Sequence, residues 1–188
     1  MKKTKNVILK GAAVAALFFL FVRATKNKNM PKFAAELTPE NIKNSFKKIF
    51  DTYGYEKTKR LEQMFRNESG HFKSGQFKKS FSPGMESVPN NAPAVYPFGW
   101  KSLEKFAKKY GYKPEQFYQT ETLTEGGTGK PKRFVGFPSL FSAMLFVMFL
   151  IENRGWNFGK WFSFDERLAA NYNSKLDKIK TPITDSFL

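Results

Sequence analysis

The sequence predicts a mainly α-helical domain with one small β-hairpin, preceded by an apolar segment with basic flanks. Three observations carry this. Apolar residues recur at three- and four-residue spacing in several windows after residue 37. The period shortens to two between residues 116 and 137, around a glycine-rich turn. Val7 to Val22 is apolar except for Lys10, close to the lower limit of about 17 residues for a membrane-spanning helix.

The elements follow in chain order. Residues 1–32 carry eight Lys/Arg and no acid. A Lys-rich start, an apolar stretch and a basic end are the layout of a signal peptide or an uncleaved membrane anchor. Lys10 can snorkel toward headgroups and leave the stretch usable. Val22-Arg23-Ala24 is a poor small-x-small cleavage site, which favours the anchor. Residues 1–32 are therefore expected to tether a body formed by residues 33–188 to a lipid membrane.

Thr38 to Thr52 is predicted to be a helix, with Thr38 as its cap, Pro39 in its first position and Ile42, Phe46, Ile49 and Phe50 as its apolar stripe. A second helix, from about Glu56 to Asn67, buries Leu61, Met64 and Phe65 and stops at Ser69-Gly70. Four prolines, with several glycines and asparagines, make residues 70–100 read as a long loop region. Lys101 to Tyr110 is a helix closed by Gly111. Residues 116–124 and 132–137 form the hairpin around Gly126-Gly127-Thr128-Gly129. That loop lacks the Lys-Ser/Thr ending of a phosphate-binding loop and is read as a turn. Ser139 to Asn153 contains a 12-residue apolar run, short for a membrane span and suited to a helix buried on all sides. Asn171 to Lys180 closes the chain with Tyr172, Leu176 and Ile179 inward.

Composition narrows the chemistry. The 188 residues include no cysteine and one histidine, His71. This excludes disulfide frameworks, cysteine nucleophiles and Cys- or His-clustered metal sites, and no cofactor is called for. The net charge is +16, half of it in residues 1–32. A mildly cationic body attracts any polyanion, whether nucleic acid, anionic lipid or cell-wall polymer. Its basic residues are dispersed, so a specific nucleic-acid partner is not expected.

Glu68 ends a predicted amphipathic helix and enters a glycine-containing loop. Its neighbours Met64, Phe65 and Phe72 can exclude water, and desolvation favours the neutral form of a carboxyl, as a general acid requires. Glu68-Ser69-Gly70-His71-Phe72-Lys73-Ser74 resembles the Glu-Ser-Gly-x-x-x-Ser signature of bacterial glucosaminidases of the lysozyme-like superfamily, glycoside hydrolase family 73. In that family a strand glutamate precedes a Phe-Arg-x-Tyr-x-Ser stretch by about thirteen residues. Here Glu121 stands thirteen positions before Phe134, which opens Phe134-Val135-Gly136-Phe137-Pro138-Ser139. Asn171-Tyr172-Asn173-Ser174-Lys175-Leu176 resembles the family's closing Asn-Tyr-Ala-x-Lys-Leu helix. The likeness covers roughly residues 58–180 in patches. It departs at His71, where the family has tryptophan, and at Val135 and Phe137, where it has arginine and tyrosine.

The resemblance implies an α+β lysozyme-like fold with the hairpin beside a cleft, and cleavage of glycosidic bonds in peptidoglycan glycan strands. Glu68 would protonate the leaving oxygen and Glu121 would activate water from the opposite side. Glu125, four residues further on, is the alternative partner. Ser69, His71, Tyr118, Phe137, Tyr172 and Trp100 are the candidate substrate contacts. Muramidase and lytic transglycosylase chemistry of the same superfamily remain open, as does a non-enzymatic membrane or virion scaffold that keeps the fold. Bacterial and phage settings both fit a small, basic, anchored lytic protein facing the cell wall.

Overall fold

Gly54 divides the longest helical stretch. In the computed structural model α1 spans Pro39–Glu68 but is interrupted at Gly54, whose φ of 77° lies outside the helical region. The two predicted helices are thus consecutive pieces with one kink, at the residue type that tolerates it best. Thr38 caps the start, its hydroxyl accepting the Asn41 N–H at 3.1 Å, and Pro39 follows. The structure describes residues 37–83, 87–88, 92–120, 122–124, 131–155 and 157–188, all within one unit, Lys32–Leu188. The expected anchor or signal, Glu121, Glu125, Trp156 and the Gly126–Gly129 turn lie outside the described residues.

After α1 come a short helix α2 (Gly75–Ser80), β1 (Ser87–Val88) and α3 (Lys101–Tyr110). A 3-10 turn (Pro114–Gln116) leads into β2 (Tyr118–Gln119), β3 (Leu123–Thr124) and β4 (Pro131–Gly136). Four helices finish the chain: α4 (Leu140–Asn153), α5 (Phe158–Phe162), α6 (Glu166–Leu176) and α7 (Pro182–Asp185). The fold is mainly α with a small antiparallel sheet.

The sheet is organised around β4. On one edge Ser87 pairs with Phe134 and Val88 with Arg133. On the other, Tyr118 pairs with Gly136 and Gln119 with Val135, and further along Leu123 pairs with Lys132 and Thr124 with Pro131. Thr120 bridges the two segments: its N–H donates to the Phe134 carbonyl and its hydroxyl accepts from the Phe134 N–H, both at 2.9 Å. The expected hairpin pairing is present, and β1 adds a strand from within the region expected to be loop.

The apolar run of α4 is a core helix. Every residue from Ser142 to Ile151 is buried, and the ring of Phe146 meets Trp100, Phe106 and Phe137. Ser139 caps α4, its hydroxyl accepting the Ser142 N–H at 3.1 Å. No helix among the described residues is long and apolar enough to cross a membrane. A second aromatic cluster joins Phe46, Phe65, Phe72 and Phe77 beneath the end of α1.

One carboxylate is spent on this architecture. Glu62 is fully buried on α1. It accepts from the Thr184 N–H at 2.8 Å and hydroxyl at 2.7 Å, and pairs with the Arg66 Nε at 2.7 Å. It fastens the start of α7 to α1, and its acceptor capacity is consumed by these partners.

Candidate active site

Glu68 is the last residue of α1, and the turn that follows fixes where it points. Ser69 is fully buried. Its hydroxyl donates to the Phe65 carbonyl and accepts the Phe72 N–H at 2.7 Å, while its own carbonyl accepts the Lys73 and Ser74 N–H groups. Gly70, His71 and Phe72 all take positive φ, 57°, 58° and 69°. The chain thereby reverses within four residues and drops Phe72 back against Phe46 and Phe77. Ser69, expected to contact substrate, instead stitches this turn, because both sides of its hydroxyl are occupied by backbone.

The Glu68 carboxyl is half-buried. Its Oε1 accepts the Tyr172 hydroxyl at 2.7 Å and the Asn67 side-chain N–H at 2.7 Å. The expected surroundings are only partly present. Met64, Phe65 and Phe72 are buried in the core beneath the turn, and the residues that line the groove beside the carboxyl are Asn67, Phe162, Leu168, Asn171, Tyr172 and Lys175. This groove is an open depression of about 340 Å³.

Tyr172 comes from α6. Asp165 starts that helix by accepting the Leu168 N–H at 2.9 Å, and the inward face carries Ala169, Tyr172 and Leu176. The Tyr172 ring lies parallel to Phe162 of α5, centroids 4.6 Å apart and planes 3° from parallel. Gly159 permits this crossing: a Cβ there would fall 2.6 Å from the Asn173 side-chain nitrogen and 2.9 Å from the Ala169 carbonyl. Burial, then the adjacent Glu68 carboxyl, push the Tyr172 hydroxyl well above the usual tyrosine range, so it remains a proton donor. Phe162 is 43% exposed and Leu168 39%, giving the groove an accessible aromatic and aliphatic wall.

The other expected contacts distribute differently. His71 is exposed and does not line the groove. Tyr118 lies on β2 with its ring across Gly136 and its hydroxyl donating to the Lys79 carbonyl at 2.9 Å; it too is absent from the groove wall. Phe137 is fully buried between Phe117 and Phe146, so it is a core residue and not a substrate contact. Trp100 lines a second, larger cavity of about 540 Å³ that shares Phe162 with the Glu68 groove. Of the expected residues, the structure brings together Glu68 and Tyr172, with Trp100 one cavity away.

Asn67, Phe162, Leu168, Asn171 and Lys175 were not expected at the site. Lys175 and Asn171 had a legible signal, since i, i+1 and i+4 positions around Tyr172 fall near one face of a helix. Phe162 had none, because its role depends on how α5 crosses α6.

Comparison with protein-family models, with curated proteins and with solved structures finds no match in any of the three.

Proposed function

We propose that this protein is a peptidoglycan glycosidase of lysozyme-like fold, with Glu68 as the proton donor to the leaving glycosidic oxygen. The observation that carries the reading is the bond between Glu68 and Tyr172. Two segments that resemble glucosaminidase motifs lie far apart in the chain, and their defining side chains meet at 2.7 Å on the wall of a groove.

The local geometry supports the role. The carboxyl is held by two donors on one oxygen, Tyr172 and Asn67, which leaves Oε2 to address the substrate. An exposed aromatic face, Phe162, flanks it, as sugar rings require for stacking. Asn171 and Lys175 supply polar groups for hydroxyl and acetamido oxygens.

The second carboxylate is proposed as Glu121, with Glu125 as its alternative, and the substrate's own acetamido group can take the nucleophile's place. An inverting arrangement needs the two carboxyls about 6.5–9.5 Å apart. Residues 1–32 are proposed to anchor the body to the membrane, facing the wall.

Mass spectrometry of peptidoglycan digested by the full chain tests this reading. New N-acetylglucosamine reducing ends are expected. N-acetylmuramic acid ends or anhydro ends would reassign the bond within the superfamily, and the absence of any glycan cleavage would favour the scaffold reading.

A further inference from the structure

The larger cavity, about 540 Å³, lies between the start of α3, the end of α4 and the α5 region. Its apolar wall is Trp100, Leu150, Trp161, Phe162 and Phe164. Three cations, Lys101, Arg154 and Lys160, also line it, and no carboxylate is among its described lining residues. Arg154 is oriented by a hydrogen bond to Ser102. Lys101 and Lys160 are exposed and enter no ion pair among the described residues. Trp161 is only 4% exposed, and its indole N–H is buried with no hydrogen-bond partner among the described residues. Phe164, at the edge of the same cavity, is 69% exposed.

We infer that this cavity binds the acidic stem peptide of the glycan strand, placing its carboxylates among Lys101, Arg154 and Lys160. The inference rests on reading Glu68 as the wall-cleaving site and adds a substrate preference: strands that carry acidic peptides over bare ones. Three features favour this occupant. Phe162 belongs to both cavities, so the larger one neighbours the Glu68 groove. The cation set complements carboxylates, which bind such groups with charge-assisted hydrogen bonds. An anionic membrane surface offers similar charge, but a concave cavity suits an inserted segment better than a planar headgroup layer.

The test measures binding of N-acetylmuramyl tetrapeptide to the full chain by calorimetry. This probe has no internal glycosidic bond, so wild-type protein can be used without turnover. The same molecule with its carboxylates amidated is the neutral control. Wild type is expected to bind the acidic probe about tenfold more tightly than the amidated one, and the Lys101→Gln/Lys160→Gln double variant to lose that distinction. Equal affinity of wild type for the two probes, or a double variant that still discriminates, would overturn the inference. So would a double variant that loses only its affinity for phosphatidylglycerol vesicles. Lysine-dependent binding in a chain that digests no wall would sustain the cavity and reject the glycosidase. Wall digestion without lysine-dependent binding would do the reverse.

Discussion

The Tyr172 hydroxyl donates to Glu68 Oε1 at 2.7 Å, joining residues 104 positions apart. The bond ties one carboxyl oxygen to a ring that stacks on Phe162. In the proposed reading Tyr172 is a positioning residue for Glu68. Tyr172→Phe keeps the stack and removes the bond. Since an ordinary hydrogen bond contributes about 0.5–1.5 kcal/mol, kcat on peptidoglycan is expected to fall roughly threefold to tenfold with KM little changed. A purely structural tyrosine would instead lower stability with kcat intact, and steady-state kinetics separates the two.

Phe162 and Phe137 make a contrasting pair. Phe162→Ala removes a half-exposed ring and the stack that holds Tyr172, an aromatic pair worth about 0.5–1.5 kcal/mol, so KM is expected to rise and kcat to fall severalfold with the fold retained. Phe137→Ala empties a core site and is expected to cost about 3–5 kcal/mol of stability, with the activity per folded molecule unchanged. Denaturant unfolding alongside kinetics checks both.

Glu62 is the deeper carboxylate, yet its bonds to Thr184 and Arg66 make it architectural. Glu62→Gln disturbs a buried ion pair and is expected to cost about 3 kcal/mol, read as a lower urea midpoint, while kcat stays near wild type at low temperature.

Alkaline pH acts through tyrosines. Burial raises the hydroxyls of Tyr172, Tyr96 and Tyr112 above the ordinary value of 10.0. In the unfolded chain these groups ionise near that value, while the folded chain holds their protons longer. Their contribution is fully present below pH 10.0 and is lost as pH rises above it. The urea midpoint is expected to fall above pH 10.0, and less steeply in Tyr172→Phe.

Much of this fold was legible because local signals agreed with packing. Thr38-Pro39, Gly111 and Ser139 mark helix ends that the structure keeps, and α4 is buried as its apolar run required. Short elements escaped. α2 has six residues and β1 two, too few for a period to register. α6 begins at Glu166, five residues earlier than expected, because Asp165 serves as its cap. At the site, Glu68 and Tyr172 were legible as motif residues. Ser69 and Phe137 were not separable from substrate contacts, because a motif letter carries no information about burial. Phe162 was silent because it reaches the groove only through the close approach at Gly159.

The most direct measurement compares wild-type and Glu68→Gln full chains on purified peptidoglycan, with circular dichroism confirming that both fold. Release of soluble glycan fragments by wild type, reduced at least a hundredfold in the variant, is the expected result for a general acid. Equal release by both chains, or none by either, would contradict the role assigned to Glu68.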